Sequence, residues 1–272
     1  MKKQLLFLAF GLTSLNFYAQ DAKIAEDCFK KADYKCAEEQ YSKLAEKEQI
    51  QKFQSDYYNN LGTSQRRLGK TDLAFKSYES ALKSNPMSAS VYANLASLHS
   101  QKGNKAKALE YIAKGLQIDP ENVDMYLTRS KIYDSQGKKD LAVKDLDQIL
   151  SFASDNIFAK TGLANLKKNN GDLEGALKDY NQLISDKPES LLYNGRADVY
   201  LKMKKSKEAL VDVNKAISID PKFAQSYLTK ALILFDTAKP KEACTNLDKA
   251  VALGYEKAVL ADYYTKCTSP AK

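Results

Sequence analysis

Residues 55–88 read SDYYNNLGTSQRRLGKTDLAFKSYESALKSNPMS, and this stretch decides the fold. Tyr58, Leu61, Gly62 and Leu68 recur at helical spacing, which gives a first helix with one apolar stripe and a small residue where a neighbour must come close. Gly69 ends that helix, because it tolerates the left-handed backbone of a C-cap. Leu73, Ala74, Tyr78, Ala81 and Leu82 then form a second amphipathic helix, whose alanines let its backbone approach the first. Asn85-Pro86 stops it. The turn between the helices is short, so they must be antiparallel. One such pair cannot bury both stripes, so neighbouring pairs must stack.

The same columns return along the chain. Ala74, Ala108, Ala142, Ala176, Ala209 and Ala243 are spaced by 34, 34, 34, 33 and 34 residues. Gly69, Gly103, Gly137 and Gly171 keep the phase, as do Tyr58, Tyr92, Tyr126, Tyr193 and Tyr227, a series broken by Lys160. Pro86, Pro120, Pro188 and Pro221 close four of the repeats. A period near 34 is that of stacked helical hairpins. These residues resemble the tetratricopeptide repeat, whose pattern is an aromatic, Leu-Gly, an aromatic, Ala, an aromatic, a second Ala and Pro. Tyr58, Leu61-Gly62, Ala74, Tyr78, Ala81 and Pro86 fill that pattern in one repeat, and Tyr92, Leu95-Ala96, Ala108 and Pro120 in the next. A divergent repeat precedes them, where Ala37 and Tyr41 match but Ala74 follows Ala37 by 37 residues. The expected fold is all-α, an α-solenoid of about seven antiparallel helix-turn-helix repeats with a C-terminal capping helix. The repeats are placed near 20–54, 55–88, 89–122, 123–156, 157–189, 190–223 and 224–255, with a cap at 256–267 and a tail at 268–272.

Residues 1–19 are a different kind of segment. Lys2 and Lys3 precede a mostly apolar run from Leu5 to Phe17, followed by Tyr18-Ala19-Gln20, which reads as a secretory signal cleaved after Ala19. An uncleaved membrane anchor is the competing reading, for which the run is short. The expected location is the periplasm or outside the cell, as in the exported bacterial tetratricopeptide proteins that the chain resembles. The formal charge is +8, and loss of Lys2 and Lys3 leaves +6. Nucleic acid is nonetheless not an expected partner. Arg66, Arg67, Arg129 and Arg196 are the only arginines, and the lysines alternate with acids, as in Lys138-Lys139-Asp140.

Four cysteines in an exported chain suggest two disulfides, and sequence alone allows three pairings. The hairpin reading favours Cys28 with Cys36, which lie symmetrically about residue 32 in the first turn, and Cys244 with Cys267, which lie symmetrically about the turn after Gly254. Four buried free thiols are the alternative.

The chain offers little for catalysis. His99 is the single histidine, so one chain cannot build a His-based triad or a multi-histidine metal site, and its repeat position, shared with Tyr133 and Tyr200, marks a packed side chain. Gly69-Lys70-Thr71 imitates the end of a phosphate loop, but Gly62 stands two residues too far upstream and a helix, not a strand, leads into it. Asp145 and Asp147 lack the glycine and terminal glutamate of a calcium loop and are expected to face solvent. No enzyme, metal or cofactor is expected.

A surface remains. The resemblance implies that the first helix of each repeat lines a concave face, whose columns hold Asn59 and Thr63, Ala93 and Ser97, Leu127 and Lys131, Thr161 and Asn165, Asn194 and Asp198, and Leu228 and Leu232. Some members grip a C-terminal carboxylate with paired Lys, Arg and Asn. Asn94 fits one such place, while Thr63 and Leu127 occupy others. The candidate partner-binding residues are therefore Asn59, Thr63, Asn94, Ser97, Lys131, Asn165, Asn194, Asp198, Leu228 and Leu232. The expected function is an exported, non-catalytic scaffold that holds a protein or peptide. The alternative is a periplasmic chaperone or assembly factor, for which Leu232 and Phe235 would stay open rather than lie under the last helix. A glycan-binding role is disfavoured by the absence of Trp.

Overall fold

A computed structural model describes residues 20–255 and 257–268, and these are helical throughout apart from turns. The segment 1–19, expected to be a signal, and residues 269–272 of the expected tail lie outside the described residues. The helices are α1 (20–30), α2 (Tyr34–Lys47), α3 (Gln51–Arg67), α4 (Thr71–Ser84), α5 (Ala89–Gln101), α6 (Lys105–Ile118), α7 (Val123–Ser135) and α8 (Lys139–Phe152). They continue with α9 (Ile157–Asn169), α10 (Leu173–Asp186), α11 (Ser190–Lys202), α12 (Ser206–Ile219), α13 (Ala224–Asp236) and α14 (Pro240–Ala252). A 3₁₀ turn (Lys257–Leu260) then leads to α15 (Ala261–Thr268). The fold is thus the expected all-α, solenoid class of consecutive helix pairs closed by a terminal helix.

The chain divides into two compact units, one ending at Ile132 and one beginning at Tyr133. In the N-terminal unit α2 packs on α3, α3 on α4, α4 on α5 and α5 on α6. The C-terminal unit continues in the same way from α8 to α15, and its first helices also touch one another, α9 with α11 and α11 with α13.

The alanine column is where the two helices of a pair meet: Ala74, Ala108, Ala142, Ala176, Ala209 and Ala243 are all fully buried. The glycine of the Leu-Gly step has an equally direct cause: a Cβ on Gly62 would lie 2.7 Å from the ring of Tyr78 in the same helix pair. Gly195, two positions earlier in its repeat, meets the preceding pair instead, where a Cβ would lie 2.4 Å from the ring of Tyr180. Both rings are fully buried and cannot step aside.

The turn column is left-handed at Gly69 (φ 74°) and Gly171 (φ 88°), as the sequence requires. The column does not end with the glycines. Lys204 (φ 61°) and Ala238 (φ 56°) occupy the same turn in the last two hairpins with the same backbone, as does Ala32 (φ 58°) in the first. Side chains at such positions are held at a cost, because Cβ crowds the following carbonyl.

The Cα atoms of Cys28 and Cys36 are 5.7 Å apart and those of Cys244 and Cys267 are 5.8 Å apart, with the sulfurs of each pair at bonding distance. One expectation needs correction. Asp147 is exposed, but Asp145 is buried, 4% exposed. It occupies the repeat position of Asp212, whose buried carboxylate accepts two hydrogen bonds from Arg196, at 2.7 and 2.8 Å. A second carboxylate at that column is therefore an inward position, not a solvated one.

Candidate functional site

All ten candidate residues lie on the first helices of their pairs, α3, α5, α7, α9, α11 and α13, and the two units treat them differently. In the N-terminal unit the amide of Asn94 on α5 donates to the side-chain oxygen of Asn59 on α3 at 2.9 Å. Thr63 donates to the backbone carbonyl of Asn59 at 3.0 Å, and its hydroxyl lies 3.1 Å from that of Tyr78. Ser97 accepts from Arg66 at 3.5 Å. These groups are half-buried and engaged with one another, and Lys131 on α7 is exposed.

The C-terminal unit brings Thr161, Asn165 and Lys168 of α9 beside Asn194 and Asp198 of α11, with Leu228 and Leu232 of α13 following. Tyr180 donates to Asn165 at 3.0 Å, and burial pushes its hydroxyl well above the ordinary tyrosine range, so it stays a proton donor. Lys168 pairs with Asp198 from a position only 9% exposed. By contrast, Thr161 and Asn194 stand at the same repeat position, are 5% and 6% exposed, and each has a buried side-chain oxygen without a hydrogen-bond partner. A buried acceptor left so costs about 1 to 3 kcal/mol.

Leu228 packs into the cluster of Leu234, Leu247 and Leu260. Leu232 instead lines an open cleft of about 890 Å³ beside Phe235. Phe235 shares its cluster with Tyr263 and Cys267 of the last helix, and Lys266 of that helix lines the cleft beside it.

Sequence reasoning missed Lys168. Its spacing of 161, 165, 168 along one helical stripe was the signal, masked by the assumption that lysines are solvated. It also missed Arg196, which ties α11 to Asp212 on α12 and to Asn181 on α10 at 2.8 Å. Asp212 is the first reason that the guanidinium is held above its ordinary range.

His99 is packed as expected. It lies 4.7 Å from the ring of Phe75 and stacks on Tyr111 at 5.4 Å, and burial lowers its basicity. Many lysines lie against carboxylates, among them Lys70 on Glu38, Lys102 on Asp72 and Lys167 on Asp179. Among the described residues no group of three His, Cys, Asp or Glu is placed to hold a metal ion. No helix among them is long and apolar enough to cross a membrane.

Comparison with known proteins agrees with this architecture. The profile of the ETO1 C-terminal domain matches residues 39–228. A crystal structure of a tetratricopeptide repeat protein from Parabacteroides merdae is similar with a TM-score of 0.73 and 30% identity, over 93% of this chain and 99% of that one. At lower identity, 16%, the fold is shared with PilW, a type IV pilus biogenesis factor (TM-score 0.55, 78% of this chain and 96% of that one). It is shared as well with pilF of Pseudomonas aeruginosa (TM-score 0.51, 16% identity, 78% and 97%). No curated protein sequence matched. With the repeat columns, the buried alanines and these matches, the chain belongs to the tetratricopeptide repeat family, and its residues 39–228 to the ETO1 C-terminal domain.

Proposed function

We propose that this protein is an exported, non-catalytic scaffold that holds an extended segment of a partner protein on the face formed by the first helices of its repeats. The observation that carries this is the pair of unsatisfied oxygens on Thr161 and Asn194, which sit at one repeat position on neighbouring helices of that face. A backbone amide of a bound strand supplies the missing donor once the side chains rotate outward, and the stabilisation appears only on binding. The N-terminal unit offers the same face in a closed form, with its amides and hydroxyls already spent on one another. In the same reading the protein acts outside the cytoplasm, with residues 1–19 as a cleaved signal, and Cys28–Cys36 and Cys244–Cys267 are disulfides that fasten the first and last hairpins.

The chaperone or assembly-factor reading has one observation in its favour, the half-exposed apolar cleft at Leu232 and Phe235. A photo-cross-linking amino acid placed at Lys131 and Leu232, with a control at Val211 on α12, which is 70% exposed, separates the faces. The scaffold reading expects one or a few defined partners captured from Lys131 or Leu232 and none from Val211. A chaperone gives a broad smear of clients from Leu232. Capture from Val211 alone would overturn the assignment of the face.

A further inference from the structure

The cleft in the C-terminal unit is walled by the ends of α11 and α13, the turn into α14 and helix α15. Its floor is apolar, made by Leu201, Leu232 and Phe235, all half-buried. Its rim is basic, with Lys202, Lys204 and Lys266 facing one carboxylate, Asp236. That carboxylate is already neutralised. Lys204 donates to it at 2.8 Å and Ser206 at 3.0 Å, and these two bonds, Lys204 first, hold it below the ordinary carboxylate range. Lys204 does so from a left-handed backbone where the earlier repeats use glycine, and Ala238, which also lines the cleft, repeats that backbone. Non-glycine residues held in this region gather at ligand sites, where the surrounding structure sustains the strain.

Two cations are then left over. Lys202 and Lys266 have no ion-pair partner among the described residues, and the ammonium of Lys266 lies 5.6 Å from the ring centre of Phe235. An apolar floor with uncompensated cations on its rim selects an apolar group linked to a negative one. We propose that this cleft docks an extended partner segment bearing a large apolar side chain and, two residues further on, an Asp or Glu, with the apolar group on Leu232 and Phe235 and the carboxylate on Lys266 and Lys202. The spacing sets the register. An extended chain returns to the same face every second residue, about 6.5 Å on, whereas adjacent side chains point to opposite faces. A two-residue step therefore spans the distance between ring and ammonium. The apolar contact also excludes water beside the ion pair, which strengthens it over one on an open surface.

The proposal rests on the scaffold reading and narrows it to one occupant. The test is chemical-shift mapping on the full, oxidised protein with a heptapeptide Gly-Ser-Phe-Ser-Glu-Ser-Gly blocked at both ends, beside versions carrying Gln for Glu, Ser for Phe, or Lys for Glu. The Glu peptide is expected to move the amides of Leu201, Lys202, Leu232, Phe235 and Lys266, and the Gln peptide to bind about fivefold more weakly, the size of one rim ion pair. The double variant Lys202→Glu with Lys266→Glu is expected to reverse the order and prefer the Lys peptide, which a merely unfolded cleft could not do. Equal binding of the Glu and Gln peptides, or no shift at all, would overturn the proposal. Shifts centred on Asn165 and Asn194 would overturn it too while leaving the scaffold reading intact, whereas that reading fails on the cross-linking at Lys131 and Leu232.

Discussion

In the N-terminal unit Asn94 satisfies Asn59, and Thr63 meets Tyr78. In the C-terminal unit the corresponding face leaves Thr161 and Asn194 without partners, buries a lysine beside Asp198 and ends in an open cleft. The hairpins beneath are alike, since the alanine column is fully buried in both units and Tyr78 and Tyr180, at one repeat position, are both fully buried, each against a glycine of an adjoining helix. The repeat therefore fixes how helices pack and leaves the exposed face free to be either closed or poised. On the proposed function, stability and binding are separable, and the second unit is where one is expected to be traded for the other.

The largest expected difference between the units comes from their terminal cross-links. Cys28–Cys36 encloses a separation of 8 residues and Cys244–Cys267 one of 23. If both are disulfides, loop entropy makes them worth about 2.5 and about 3.5 kcal/mol, so reduction should loosen the C-terminal unit more. Non-reducing peptide mapping should recover these two pairs and no link between the ends. Hydrogen exchange after reduction should then rise more across α13 to α15 than across α1 and α2. Equal loosening, or free thiols in the native protein, would remove this asymmetry.

A smaller effect has opposite signs in the two units. Asn194→Leu removes a buried acceptor that has no partner, so the variant should melt later, by about 1 kcal/mol of stability, and lose captured partner. Asn59→Leu breaks a hydrogen bond that is made, so it should lose about 1 kcal/mol and keep its partner. Thermal melts of both variants beside partner capture decide the matter. If both variants shift the same way, the units do not differ as described.

What was legible in the sequence follows the same division. The helices, the turn column and the alanine seam were readable because each answers a demand inside one hairpin: a Cβ at Gly62 has nowhere to go beside Tyr78, and Ala74 is fully buried where α4 packs on α3. The face was readable only as a list of positions. Whether Asn94 finds Asn59, or Lys168 finds Asp198, depends on residues 35 and 30 places away on a neighbouring first helix, and no column marks such pairs. Lys204 and Ala238 were hidden for a related reason, since glycine is the residue that announces a left-handed turn and these positions take that backbone without it.

The smallest expected effect is a pH dependence confined to the N-terminal unit, which holds the only histidine. Burial between Phe75 and Tyr111 lowers the basicity of His99, and Lys107 lowers it further, while Glu79 and Glu110 pull the other way less strongly overall. Its Nδ1 is buried without a partner, which likewise favours the neutral ring. The sign follows from proton uptake. The unfolded chain, with an ordinary histidine near pH 6.5, binds the proton before the folded chain does, so the stability of the neutral ring is full above about pH 6.5 and is lost as pH falls below it. Glu110 cannot account for a change in that window, because Lys107 and Lys114 hold its carboxyl near 2. Denaturant melts between pH 7.5 and 5.5 should therefore show a modest loss of stability, with hydrogen exchange rising in α5 and α6 and not in α9 to α14. His99→Phe keeps an aromatic ring between Phe75 and Tyr111 and should flatten that slope. A slope that survives in His99→Phe, or exchange that rises in the C-terminal unit instead, would place the acid sensitivity outside the histidine and erase this last distinction between the two halves.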